Sequence, residues 1–362
     1  MIASAGKEKM TTVSIPSFSV SPRTLRPTMR QVASLAGVGI KTVSRVINGE
    51  AGVSAATHAR VTAAIEALNY QHDIYAGSLR RSDRRTLTIG LIVGNVANPF
   101  SGALNRAVED SAARHGIAVL AVSLDDDASR ERELVSALLR RRVDAVILTS
   151  VTSNQSYLLP EIAHGTPFVF VDREPVGVDA DVVVSDNAVG AAAATRHLLD
   201  HGHRRIAFLG DRSDIQTSRE RRRGFFEALG TVGIPTDTVI AIDDIDDESK
   251  ARAAVVSLLD LADPPTAIFS GQNLITVGAI RALHERAAHT TTALVGFDDL
   301  LLADMLEPAI TVVAQNPTEI GTIAAERALA RLGGDEGAFQ TYVVPTRLII
   351  RGSGEITPRG RA

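Results

Sequence analysis

Ten lysines and arginines fall between Arg23 and Arg85 against four acids, although the 362 residues sum to a net charge of −4. The remainder of the chain therefore carries an excess of acids. A small basic module joined to a large acidic one suits recognition of a polyanion by the module alone. Residue types able to do covalent chemistry are poorly arranged for it. Cysteine is absent, which removes disulfides, thiolate nucleophiles and thiolate metal sites. The nine histidines form no H-E-x-x-H pattern. No G-x-G-x-x-G follows a strand-like run, and neither G-x-x-x-x-G-K-[ST] nor G-x-S-x-G occurs. The acidic runs Asp125-Asp126-Asp127 and Asp243, Asp244, Asp246 and Asp247 lack the spaced ligands of a calcium loop, and read as solvated loops. No enzyme activity, metal or cofactor is expected. Binding is.

The elements that must present the basic module are short helices. Thr28-Met-Arg-Gln31 has the form of a capping box, with a hydroxyl at the N-cap and Gln three residues on. Pro27 precedes it. A helix follows through about Ala36, with Val32, Ala33 and Leu35/Ala36 on its apolar side. Gly37-Val38-Gly39 makes a tight turn in which glycine can take a positive φ. A second helix, Ile40 to about Ile47, buries Val43, Val46 and Ile47 and ends at Asn48-Gly49. A third is capped by Ser54 and runs to about Leu68, burying Val61, Ile65 and Leu68. Two short helices around a glycine turn form a helix-turn-helix, whose second helix offers its first residues to base edges. Residues 1–27 are rich in Ser, Thr and Pro without a continuous apolar stretch, so they are expected to be a disordered tail and no secretory signal. No apolar run approaches the roughly 18 residues of a membrane span. A cytoplasmic, nucleoid-associated protein without membrane contact is expected.

The string Thr28-Met-Arg-Gln-Val-Ala-Ser-Leu-Ala-Gly-Val-Gly-Ile-Lys-Thr-Val-Ser-Arg-Val-Ile-Asn48 resembles the DNA-binding headpiece of the LacI/GalR repressor family. Val53-Ser54, Leu68-Asn69-Tyr70 and Ala76-Gly-Ser-Leu79 continue the likeness. The resemblance implies a headpiece at 28–72 in which Ile40, Lys41 and Arg45 read the major groove. Lys or Arg can meet guanine O6 and N7, whereas Ile40 offers only apolar contact. It places Thr28 in the DNA-facing set, and gives Thr42, Ser44, Asn48, Thr57 and Tyr70 to phosphates, which fix register without reading sequence. Gly39 stands where the family usually has Ser, at a capping cost of only a few tenths of a kcal/mol.

Residues 73–85 match the family's hinge helix and linker. The resemblance implies that Asp73 to about Leu79 becomes helical on the operator, with Leu79 wedged into the minor groove. So short a helix is not stable in isolation, and Gly77 inside it costs about 1 kcal/mol relative to alanine. His72 replaces a common Pro. Arg80, Arg81, Arg84 and Arg85 follow, either as phosphate contacts or as solvating charges of a linker.

From Thr86 short β-branched runs alternate with helical stretches, the rhythm of parallel sheets covered by helices. The family likeness continues in Asn98-Pro99-Phe100, Val171-Asp172-Arg173, Asp186-Asn187, Gly202-His-Arg-Arg-Ile206, Arg221-Arg-Arg-Gly-Phe225 and Val295-Gly-Phe-Asp298, so it covers about Pro27 to Ser353. The implied fold is α/β: an all-α helix-turn-helix headpiece plus a periplasmic-binding-protein-like core of two doubly wound parallel-sheet subdomains. The core spans 86–353, with one subdomain at about 86–184 and 314–342, the other at about 185–313 and 343–353, and a tail at 354–362. A cleft between such subdomains opens at the carboxyl ends of strands. The resemblance assigns Phe100, Asp172, Arg221, Gln272 and Asp298 to an effector there. Carboxylate, guanidinium and amide groups suit sugar hydroxyls. Ser101 replaces a common second aromatic, and Gln272-Asn273 replaces a usual Asn-Asp, which removes one carboxylate.

The expected function is a dimeric, sequence-specific transcriptional regulator on a near-palindromic double-stranded operator. It acts as a repressor under allosteric control by a small molecule of the sugar class. A solute-binding or sensor protein that never meets DNA would leave the headpiece unexplained. A ligand-insensitive regulator stays open.

Overall fold

The structure, a computed structural model, describes residues 27–47, 49–70 and 85–358. The tail before Pro27, Asn48, and the hinge positions His72, Asp73, Gly77, Leu79, Arg80, Arg81 and Arg84 lie outside the described residues. The chain divides into two compact units, 1–84 and 85–362.

The first unit is a three-helix headpiece: α1 (Met29–Ala36), α2 (Ile40–Ile47) and α3 (Ala55–Ala67). The capping box forms, with Thr28 N donating to Gln31 Oε1 at 2.7 Å and Gln31 N to Thr28 Oγ1 at 3.4 Å. Gly37, at φ 64°, ends α1 in the left-handed conformation that glycine adopts without strain. Ser54 Oγ caps α3 by accepting from Thr57 N at 3.3 Å. Val32, Ala33, Ala36, Val43, Val46, Val61 and Ala64 form the core, with Ile47, Ile65, Leu68 and Tyr70 packed on its edge. Leu35 does not join them. It is 56% exposed, because the buried stripe of α1 runs through 32, 33 and 36 and leaves position 35 outside it.

The second unit holds two six-stranded sheets. The first is ordered β11-β5-β4-β3-β1-β2 and is parallel throughout, from β1 (Thr88–Val93), β2 (Ala118–Ser123), β3 (Ala145–Leu148), β4 (Phe168–Val171), β5 (Asp181–Ser185) and β11 (Thr341–Val344). The second is ordered β12-β10-β9-β8-β6-β7, from β6 (Ile206–Leu209), β7 (Ile240–Ile242), β8 (Ala267–Ser270), β9 (Ala293–Phe297), β10 (Thr311–Ala314) and an antiparallel edge strand β12 (Arg347–Ile349). Central strands such as β3, β4 and β8 are buried at every residue, as sheets covered on both faces require. Helices α4 (Pro99–Ala113) and α11 (Pro317–Leu332) cover one face of the first sheet, and α5 (Ala128–Arg140) packs on the other. Between them comes the short α6 (Leu159–Ala163). The second sheet lies between α7 (Asn187–Asp200) with α8 (Gln216–Thr231), and α9 (Glu248–Leu259) with α10 (Asn273–Glu285).

The chain crosses between subdomains three times: after β5, after β10 and after β11. The third crossing falls later than the sequence suggested. Val343 and Val344 pair with Val184 and Ser185, so they belong to the first subdomain, and the crossing is Pro345-Thr346. All three are tied by hydrogen bonds. Ser185 Oγ donates to Gln315 Oε1 at 2.7 Å, and Thr346 N donates to Asp186 Oδ1 at 2.6 Å.

The expected tail is also corrected. Residues 354–358 are packed, since Glu355 meets His197 and the Thr311 hydroxyl, and Ile356 lies against the second core. His203 Nε2 donates to Ile356 O at 2.7 Å, so its Nδ1 accepts from the Thr266 hydroxyl at 2.8 Å. Burial pushes its pKa down and keeps the ring neutral.

Helices α7 and α8 touch at Gly224. A Cβ there would stand 2.1 Å from the Ala188 carbonyl oxygen. Backbone cannot yield as a flexible side chain would. Gly224→Ala is expected to cost about 3 kcal/mol of stability, the upper range of overpacking, read as a lowered denaturation midpoint. An unchanged midpoint would mean that the helices part freely.

The candidate DNA-reading helix and the subdomain cleft

On the headpiece, Ile40 is 41% exposed at the first turn of α2, and Lys41 beside it is exposed. Thr42, Ser44 and Arg45 are half-buried on the same helix, and Thr57 lies in the first turn of α3. Gly39 opens α2 with its carbonyl, which accepts from Thr42 N at 2.9 Å. Arg45 departs from a freely extended reader. Its Nη2 donates to Ala51 O at 2.5 Å, and its Nε lies 3.5 Å from Glu50 Oε2. Gly52, at φ 91°, leaves room for it, because a Cβ there would come within 2.9 Å of Nη2. The guanidinium rests on its own loop.

In the second unit all five sequence-derived effector residues line one cleft, with Gly94, Asn95, Asn98, Ser101, Asp126, Thr149, Arg173, Asp211, Thr217 and Gln315. The cleft holds about 510 Å³ of empty space, open solvent included. Asp172 directly follows β4 and Asp298 directly follows β9, at matching points of the two sheets. Each takes a left-handed backbone, φ 67° and φ 72°, that non-glycine residues rarely adopt. Each amide is held by the next strand, Asp172 N on Val183 O at 3.0 Å and Asp298 N on Val313 O at 2.8 Å. Strain kept by a surrounding lattice is a mark of functional positions.

Arg221, only 5% exposed on α8, is held at several points. Its Nε donates to Asn187 Oδ1 at 2.8 Å and its Nη1 to Gly271 O at 2.9 Å. Asp298 Oδ2 lies 4.0 Å from Nη1, and the guanidinium carbon sits 3.8 Å from the Phe297 ring centroid. Gln315 Nε2 donates to Asp298 Oδ1 at 2.7 Å, linking this acid to the crossing segments. Gln272 is less available than its type implied. Its Oε1 caps α10, accepting from Leu274 N at 2.8 Å, so the amide N–H is what it can offer. Asn273 reaches across the cleft, donating from Nδ2 to Asn98 Oδ1 at 2.7 Å, while its buried Oδ1 has no partner. Arg212 Nη1 crosses the same gap to Asp126 O at 2.7 Å.

Sequence reasoning missed Asp126, Arg173, Asp211 and Gln315. Asp126 belongs to an acidic run that reads as a solvated loop, yet its carboxylate faces Arg173 Nη2 at 3.4 Å and it lines the cleft. Every one of the four lies just beyond the carboxyl end of a strand, which is the signal that could have found them. Among the described residues no group of three or more His, Asp and Glu is placed to hold a metal ion.

Burial raises the pKa of Asp172, against the pull of Arg173 and Arg221, and burial likewise raises that of Asp211. Both carboxyls therefore bind their protons more tightly folded than unfolded, and folding takes up protons. Their contribution to stability falls as pH rises through the window between the ordinary carboxylate range and their raised values. Asp172→Asn is expected to flatten that part of the pH dependence and raise the Tm at neutral pH. Parallel melting curves for variant and parent across pH 4–8 would show the carboxyl to be unstrained.

A profile of the lacI family of bacterial regulatory proteins matches residues 28–73, and one of a periplasmic-binding-protein-like domain matches residues 195–354. The HTH-type transcriptional regulator GalR of Salmonella typhimurium (strain SL1344) is 32% identical over 328 residues, 90% of this chain and 95% of that protein. Among solved structures, a complex of the transcriptional regulator CelR with cellobiose is 33% identical, with a TM-score of 0.65, covering 91% of this chain and 100% of that one. The lac repressor dimer bound to operator and the anti-inducer ONPF is 25% identical, with a TM-score of 0.80, covering 91% of this chain and 99% of that one.

Proposed function

The chain belongs to the LacI family of DNA-binding transcriptional regulators, and from that premise we propose that an uncharged saccharide controls it through the subdomain cleft. The observation that carries this reading is the convergence of Asp172, Arg221 and Asp298 on one polar cleft in which acids outnumber cations. Arg221 is held as described. Arg173 Nη1 donates to Ser150 O at 3.1 Å and faces Asp126 and Asp172, and Arg212 forks onto Asp214. The acids Asp126, Asp172, Asp211 and Asp298 outnumber Arg173 and Arg221 among the lining residues. A phosphorylated sugar would bring further negative charge to a lining in which acids already outnumber guanidinium groups. Neutral hydroxyls can bond to carboxylates and to the outer edges of the guanidinium groups. The cellobiose bound by CelR is of that class.

On DNA, Ile40, Lys41 and Arg45 contact base edges, and Thr28, Thr42, Ser44, Asn48, Thr57 and Tyr70 hold the backbone. Two copies related by a two-fold axis meet two half-sites. The cleft acts as a binding site and performs no reaction; GalR and CelR are regulators by name. No helix among the described residues is long and apolar enough to cross a membrane, and the place of action is the cytoplasm, at the nucleoid.

Fluorescence anisotropy on the DNA upstream of its own coding sequence, with and without neutral sugars and fructose 1-phosphate, tests this. The expected result is salt-sensitive binding, lost on deletion of residues 1–85 and shifted by a neutral sugar only. A shift produced by fructose 1-phosphate alone would refute the uncharged effector.

A further inference from the structure

The C-terminal end of α2 carries an acid that helix electrostatics does not explain. Gly49, at φ 66°, donates from its amide to Val46 O at 3.2 Å, and Glu50 N donates to Arg45 O at 2.9 Å. These are the paired bonds of a Schellman motif, which closes α2 and sets the backbone of Glu50 beside Arg45. A carboxylate there lies at the negative end of the helix macrodipole, where cations are favoured. It is also an anion on a module that meets phosphates. Residues 27–70 hold only Arg30, Lys41, Arg45 and Arg60 as cations, against Glu50 and Glu66. The acid beside Arg45 offsets one of those four.

The geometry of the pair shows what the acid can do. A guanidinium offers two parallel N–H groups on each of two edges, Nε with Nη2 at its side and Nη1 with Nη2 at its end. The 50–52 loop takes the side edge. Ala51 O accepts from Nη2 at 2.5 Å, and Glu50 Oε2 stands 3.5 Å from Nε. Among the described residues no bond is made to Nη1. The end edge, one N–H from each Nη, is a pair that suits guanine O6 and N7.

We infer that Glu50 is a specificity-setting residue of the headpiece: its carboxylate holds the side edge of Arg45, which presents the end edge to a base and keeps the guanidinium off the phosphates. The inference rests on the reading of Arg45 as a base contact. A phosphate oxygen would compete with the Glu50 carboxylate for the side edge, and the acid repels it. Guanine takes the other edge and does not compete. Glu50 thereby weakens binding to DNA at large more than binding to a guanine in register. It is a positioning residue, acting through Arg45.

Fluorescence anisotropy of the full-length protein tests this on the DNA upstream of its own coding sequence and on an unrelated duplex of equal length. Titrations at several salt concentrations compare the parent with Glu50→Gln, Arg45→Ala and the double variant. The Glu50 side chain is 52% exposed and glutamine keeps its shape, so the headpiece should fold. Glu50→Gln should lower the ratio of upstream to unrelated affinity about three- to fivefold, the reach of an exposed ion pair. Its salt slope on unrelated DNA should steepen by about 0.9, as Arg45 takes up a phosphate. Neither change should appear when Glu50→Gln is added to Arg45→Ala. Equal gains on both duplexes, or a steeper slope that persists without Arg45, would make Glu50 a plain repulsive charge and overturn the inference. A ratio lowered by Arg45→Ala but untouched by Glu50→Gln overturns it and leaves Arg45 as the reader. A ratio untouched by Arg45→Ala overturns both.

Discussion

Replacing Arg45 by alanine is expected to erase most operator discrimination while sparing non-specific binding. A bidentate pair with guanine is worth about 1–3 kcal/mol against the wrong base, so operator affinity should fall roughly 5- to 150-fold. The resting contacts of Arg45 do not stand in the way. A charge-assisted hydrogen bond from the guanidinium to the Ala51 carbonyl nets about 1.5–3 kcal/mol, and an exposed ion pair such as that with Glu50 is worth about 0–1 kcal/mol. Both are individually comparable to or weaker than a charged fork on a base edge, and the side chain stays 40% exposed and able to swing. Anisotropy titrations on operator and on unrelated duplex DNA at several salt concentrations separate the possibilities. Equal losses on both DNAs, with the salt slope reduced by about 1, would make Arg45 a phosphate contact and not a reader.

How Arg45 rests was not legible in the sequence, and the reason is general. The headpiece helices could be read because their signals are local: a hydroxyl and Gln three apart at Thr28 and Gln31, a glycine where α1 must turn, apolar residues at helical spacing. The docking of Arg45 depends on a carbonyl six residues away in an irregular loop, and no pattern of residue types announces that. In the core, the alternation of strand and helix was legible, and the family likeness brought Phe100, Asp172, Arg221, Gln272 and Asp298 to one cleft. Edge strands β11 and β12 were not read, because residues such as Thr341, Val343 and Arg347 are exposed and lack the continuous apolar run of β3 or β4. Glu131 shows the same limit from the other side. It sits in the run Arg130-Glu131-Arg132-Glu133, which reads as a solvated helix face, yet it is fully buried by donors from a loop about twenty residues on.

The cleft and the crossings form one hydrogen-bonded system, which gives the effector a route to the rest of the molecule. Asp298 is held by Gln315, and Gln315 by Ser185, so this cleft-lining acid is linked to two of the three crossings. Asn273 with Asn98, and Arg212 with Asp126, join the subdomains on the other side of the space. A ligand that displaces or strengthens these bonds changes the relative stability of open and closed subdomains. Whatever it does to operator affinity, the operator must do to ligand affinity by the same factor.

Arg221→Lys is therefore expected to disconnect the two. Lysine keeps the charge that Asp172 and Asp298 need, so the fold should survive. A single ammonium has no planar fork, however, and cannot serve Asn187, Gly271 and Asp298 together. Breaking a buried, hydrogen-bonded charge contact costs about 2–5 kcal/mol, so effector affinity should fall roughly 30- to 5000-fold. Operator binding without ligand should stay near that of the parent, since the headpiece is a separate compact unit. Arg221→Ala makes a harsher contrast. It strands two acids and the Asn187 amide in a buried site, and should lower Tm as well as ligand affinity. The decisive measurement is ligand titration of both variants while each is bound to operator. If Arg221→Lys still responds at the parent's ligand concentration, the guanidinium is only a structural strut between α8 and the strand ends. If it binds operator but no longer responds, Arg221 is the group through which the ligand is sensed.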